Sequence, residues 1–66
     1  MTTAATTLRK RAELQAMLDL ACKNQEAAVR KCFAARTEAD LARNESIAKH
    51  QGELIRRYRQ QLVEAA

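Results

Sequence analysis

Proline is absent from this 66-residue chain, and glycine occurs once, at Gly52. The two residues that most often interrupt helices are therefore almost missing, and glycine-rich phosphate cradles are excluded. Aromatic residues are scarce: Phe33 and Tyr58 are the whole set, and tryptophan is absent. No run approaches the roughly 20 consecutive apolar residues of a membrane span. The opening MTTAATT also lacks the basic-then-apolar order of a secretory signal. These absences lead us to expect a soluble, cytoplasmic chain with no membrane contact.

What the chain does contain is helix-forming residues: alanine, arginine, glutamine, glutamate, leucine and lysine make up most of it. The expected class is all-α. Of its apolar residues, 14 are Ala and 2 are Cys, which leaves 15 large side chains, seven of them Leu. That is a thin core for one small domain covering residues 1–66, in a size range where single chains often need staples or partners. The net charge is +4, with six basic and three acidic groups in residues 1–33 and six and five in residues 34–66. The cations are interspersed with carboxylates, so charge balance alone is weak support for a nucleic-acid partner.

Periodicity organises the chain. Residues 1–6 read as a frayed start, with Thr6 or Thr7 as the cap before Leu8. Leu14, Leu18, Ala21, Gln25, Ala28, Cys32, Ala35, Ala39 and Ala42 then recur at alternating steps of four and three, lining one seam of a helix expected over about residues 7–42. Met17 and Val29 widen that face. Asp19 and Lys23, Glu26 and Arg30, Glu45 and Lys49, and Glu53 and Arg57 each set an acid four residues before a base, which supports helix.

The seam fails beyond Ala42, where the next positions are Ser46, Lys49 and Glu53. A second apolar face then runs through Ile47, Leu54, Tyr58 and Leu62, flanked by Ile55. Asn44 offers a cap, so the turn is expected at about 43–46 and a second helix over about 47–65. A break at Gly52, and one unbroken helix with a stutter, are the alternatives. The expected fold is thus a two-helix antiparallel hairpin, dimerising into a four-helix bundle; a single long coiled-coil helix is the alternative. On these boundaries the first helix overhangs the second by several turns. Leu8, Leu14, Met17 and Leu18 lie on that overhang and call for a partner.

Candidate sites are few. Cys22 and Cys32 stand ten residues apart on one helix, about 15 Å in rise, too far for a mutual bridge. Their C-x9-C spacing resembles half of the twin-cysteine motif of helical-hairpin proteins in the mitochondrial intermembrane space. That family carries the motif twice, whereas the second helix here has no cysteine. Two thiols used for packing in a reducing compartment is the expectation. With one histidine, His50, and no close ligand pairs, no metal and no cofactor are expected. No catalytic residues are assigned either, because a two-helix object lacks a concave pocket.

Arg9, Lys10 and Arg11 place three cations in the first turns of a helix, where the dipole favours anions. They are candidate contacts for an anionic partner. Arg56, Arg57 and Arg59 surround Tyr58 but suit a helix C-terminus.

The function expected is therefore protein–protein interaction without catalysis. A small helical adaptor, chaperone-like subunit, inhibitor or regulator would act through an apolar helix face, as a homodimer or with another protein. That face comprises Leu8, Leu14, Met17, Leu18, Ala21, Ala28, Val29, Cys32 and Ala35 on the first helix, and Ile47, Leu54, Tyr58 and Leu62 on the second. The alternatives are a basic dimeric regulator bound to nucleic acid through Arg9, Lys10, Arg11, Arg30 and Lys31, and a structural coiled-coil subunit.

Overall fold

The computed structural model describes residues 4–65. Two helices account for nearly all of them: α1, Ala4–Ala34, and α2, Glu38–Glu64. They pack along their lengths as an antiparallel hairpin, 53 × 14 × 12 Å in Cα extent. The all-α hairpin is the fold of this chain. No strand occurs among the described residues.

The turn lies at residues 35–37, not at 43–46 as the apolar pattern suggested. Its cause is local. Thr37 adopts extended backbone (φ −130°, ψ 156°), and its Oγ1 accepts a hydrogen bond from the Asp40 amide at 3.1 Å. Glu38 and Asp40 add negative charge to the first turn of α2, where the helix dipole favours it. At the other side of the turn, the Ala35 amide donates to the Cys32 carbonyl at 3.3 Å and closes α1. Asn44, the expected cap, sits inside α2 and donates through Nδ2 to the Asp40 carbonyl at 2.9 Å. Ala39 and Ala42 had extended the first seam only because alanine is so frequent that some fall in phase.

The expected start also shifts. Helix is already present at Ala4, so Thr6 and Thr7 are not caps; the part of the frayed stretch at residues 1–3 lies outside the described residues. With 31 and 27 residues, the helices are nearly matched. The overhang of several turns does not exist. A four-residue difference in length amounts to about 6 Å of helix.

The core sits in the half of the hairpin away from the turn. Leu18 and Ala21 of α1 pack with Ile55 of α2, and Cys22, Leu54, Tyr58 and Leu62 close around them. Leu14 and Ala28 are also buried. Among the described residues no side chain is completely enclosed, as expected where two helices supply only one contact surface each. The turn-proximal half is joined by small and polar groups instead. Gln25 Nε2 donates to the Ala48 carbonyl at 3.3 Å, across the space left open by Gly52.

The seam of α1 runs as expected through Leu14, Leu18, Ala21, Gln25, Ala28 and Cys32, and Ala35 continues it into the turn, all buried or half-buried. The seam of α2 does not follow Ile47 and Leu54. It follows Asn44, Ala48, Gln51, Ile55, Tyr58, Leu62 and Ala65, again in steps of four and three. Ile47 is exposed, and Ile55, expected only as a flank, is the most buried residue of α2.

Candidate functional site

The two seams close against each other, and this decides which expected interface residues remain available. Leu14, Leu18, Ala21 and Ala28 are buried within the chain's own hairpin. Cys32, Ala35, Leu54, Tyr58 and Leu62 are half-buried along the same junction. Leu8, Met17, Val29 and Ile47 are exposed. Periodicity had passed over Leu20 and Val63, exposed by 59% and 76%, and Phe33, exposed by 88%. None of them lies on either expected seam, so their exposure is read only from the packed helices.

The two broad faces of the hairpin differ in chemistry. On one, Met17, Leu20 and Ala21 of α1 form a shallow hollow with Gln51, Leu54 and Tyr58 of α2. A second hollow continues it toward the turn, lined by Ala27, Ala28 and Lys31 opposite Asn44 and Ile47, and sharing Asn24 and Gln51 with the first. Together they form one groove along the helix junction, apolar at the end remote from the turn, carrying an amide pair at its middle, and mixed at the turn-proximal end, where Ala27, Ala28 and Ile47 lie between Lys31 and Asn44. Helical periodicity explains it: Met17, Leu20, Asn24, Ala27 and Lys31 recur at three and four, as do Ile47, Gln51, Leu54 and Tyr58.

The opposite face is basic. Cys22, Gln25, Gly52 and Ile55 floor a hollow flanked by Arg56 and Arg59. Cys22 and Cys32 are both free, half-buried thiols. At the end remote from the turn, Lys10 lines a depression with Gln61, Glu64 and Ala65. The antiparallel arrangement thus sets the cations of the first turns of α1 beside the C-terminal end of α2, which has no basic residue in its own last turn. Because α1 begins at Ala4, those cations lie beyond the first turn in which its dipole would oppose them, and the negative end of the neighbouring helix favours them.

Among the described residues, the one ion pair is Asp40 with Arg43, at 3.9 Å between exposed side chains. The four acid-to-base pairs expected at helical spacing do not close to ion-pair distance; Asp19 instead accepts from Gln15 Nε2 at 3.0 Å. No cluster of three or more metal-ligating side chains is found among the described residues, and no helix is long and apolar enough to cross a membrane. No protein-family model, curated protein or solved structure matches the chain.

Proposed function

We propose that the protein is a helical interaction module that pairs with a second copy of itself through the apolar groove, giving a four-helix assembly. Supporting this is the surface the hairpin leaves uncovered. The chain exposes 5412 Å², whereas a compact monomer of 7.4 kDa exposes about 4,200 Å². The excess, about 1,200 Å², exceeds the ~800 Å² that each partner hides in a standard stable interface. A two-layer bundle would remove it by covering the groove side of each hairpin.

The groove suits an equivalent surface. Turning one hairpin end for end sets the bulky end of each copy, with Met17, Leu20, Leu54 and Tyr58, over Ala27, Ala28 and Ile47 of the other, with the exposed Lys31 and the Asn44 amide at the rim. Asn24 and Gln51 then meet their counterparts at the middle and hydrogen-bond there, which sets the register of the pair. Binding rather than catalysis is the role this implies, since the hollows are shallow and the one histidine, His50, is an exposed residue of α2. The regulator and adaptor roles expected from the sequence would operate through the same groove.

Sedimentation equilibrium at micromolar concentration tests the pairing. The native chain should sediment as a dimer of about 15 kDa, twice the 7.4 kDa of one chain. The double variant Leu20→Glu with Ile47→Glu, two exposed groove positions, should sediment as a monomer that keeps its helical circular dichroism. A stable native monomer would refute the proposal, and so would a double variant that still dimerised. Substitutions at Leu14 or Leu18 are unsuitable probes, because both side chains are needed inside the hairpin.

A further inference from the structure

The two basic runs of the sequence, Arg9-Lys10-Arg11 and Arg56-Arg57 with Arg59, are separated by more than 40 residues. The hairpin brings them to one end. Lys10 lies level with Gln61 and Glu64, and Arg57 is four to seven residues from that level, about 6–10 Å along the axis. All six cations are exposed. The end formed by residues 7–16 and 56–65 holds two carboxylates, Glu13 and Glu64, with Glu53 one helical turn before Arg57 at its inner border. That end therefore carries +4, six against two, while the rest of the chain holds six cations and six carboxylates and is neutral. The entire net charge of the molecule resides at one end.

Such a concentration opposes folding, because like charges within about one Debye length repel. The partial charge at the α2 terminus, about half an elementary unit, offsets only part of it. A charge that served solubility alone would be spread along the 53 Å rod. Five of the six cations are arginines, whose planar guanidinium forms paired hydrogen bonds to phosphate oxygens. Consecutive residues on a helix point 100° apart, so Arg56 and Arg57 direct charge to different sides of α2. A membrane surface would be met by cations on one side of an apolar face. Here they are spread over more than one side of the end, with Arg56 and Arg59 beside one hollow, and they border no single apolar face.

We propose that this composite basic end binds the phosphate backbone of nucleic acid without reading its sequence. A duplex presents one phosphate charge per ~1.7 Å of axis, so several phosphates come within reach of the end at once. The proposal does not depend on the pairing groove, which shares none of the six residues.

Fluorescence anisotropy with a labelled duplex of arbitrary sequence tests it, over 50–200 mM salt. Four to six phosphate contacts predict a slope of log affinity against log salt of about −4 to −5, a loss of about 10²- to 10³-fold over that range. Replacing Arg9, Lys10 and Arg11 by Gln, or Arg56, Arg57 and Arg59 by Gln, should each weaken binding and make the slope shallower by two to three units. The equal-charge control Arg36→Gln, Arg43→Gln and Lys49→Gln, taken from outside that end and from outside the groove, should leave the slope unchanged. Should either triple variant lose its helical circular dichroism, the single variants Arg9→Gln and Arg57→Gln replace it, each reducing the slope by about one unit. Absence of binding at 50 mM salt overturns the proposal. So does a control as damaging as the end variants, or binding to vesicles of one-third phosphatidylserine in phosphatidylcholine that is tighter than binding to the duplex.

Discussion

Gly52 is an interior helical residue, which ordinarily destabilises a helix by about 1 kcal/mol relative to Ala. Its use is visible across the hairpin. A Cβ there would stand 3.0 Å from Gln25 Nε2, and that nitrogen is the donor to the Ala48 carbonyl. The Gln25 amide is the free end of a flexible side chain, so it can move aside, with loss of its hydrogen bond. Gly52→Ala should therefore be nearly neutral in urea unfolding, the helix gain of about 1 kcal/mol being offset by a hydrogen bond of similar size. In a Gln25→Ala background, the same substitution should stabilise by the full amount. Equal effects in both backgrounds would show that the two positions are not coupled. Thr37→Ala should lower stability by about 1 kcal/mol by leaving the Asp40 amide without its cap. That cap was legible in the sequence as Thr37-x-x-Asp40, a pattern that ends one helix and starts another. The purpose of Gly52 was not, because it depends on a residue 27 positions away.

The two helices differ in how openly they declare their buried faces. Leu14 and Leu18 mark the seam of α1, and the steps that follow them lead to the turn. In α2, Asn44, Ala48 and Gln51 occupy the equivalent places, so a search for bulky apolar residues settles on Ile47 and Leu54, one position away from the true seam. Ile47 instead borders the groove as an exposed side chain, and Leu54 lies half-buried between the core cluster and the groove. This difference predicts separate effects. Leu18→Ala and Ile55→Ala remove buried side chains from the cluster and should each lower stability by about 2–4 kcal/mol, enough to melt much of the 222 nm signal of so small a fold. Ile47→Ala should change the stability of the isolated hairpin by less than about 1 kcal/mol, while weakening dimerisation in the ultracentrifuge. If Ile47→Ala melted the hairpin as Ile55→Ala does, the assignment of the α2 seam would be overturned.

The assembled hairpin has a groove along one face, a hollow on the other, and a basic end that shares Arg56 and Arg59 with that hollow. Concentrating +4 at that end makes salt a stabiliser. Raising ionic strength from 20 to 300 mM shortens the Debye length from about 20 Å to below 8 Å, so the melting temperature should rise. Replacing Arg9 and Arg57 by Gln should raise it at low salt and flatten the salt dependence; a melting temperature indifferent to salt would contradict the charge distribution described. The cysteines give a second check. Cys22 and Cys32 lie on the one helix α1, so mild oxidation should yield no internal bridge. Non-reducing electrophoresis should show monomers, or dimers linked between chains, with no compact monomeric band.

Helical class, the seam of α1 and the poverty of large side chains follow from local composition and spacing, because helix propensity and the 3.6-residue period act over a few neighbouring residues. The turn could also have been found locally, at Thr37. What could not be found locally was every property that depends on which residues of α2 lie beside which residues of α1. Pairing Gln25 with Ala48 and Gly52, burying Ile55 while leaving Ile47 and Leu20 uncovered, and collecting two separate arginine runs at one end are consequences of antiparallel register. Register is set by the fit of whole helices around Leu18, Ala21 and Ile55, a long-range packing condition that no short stretch of the chain carries alone.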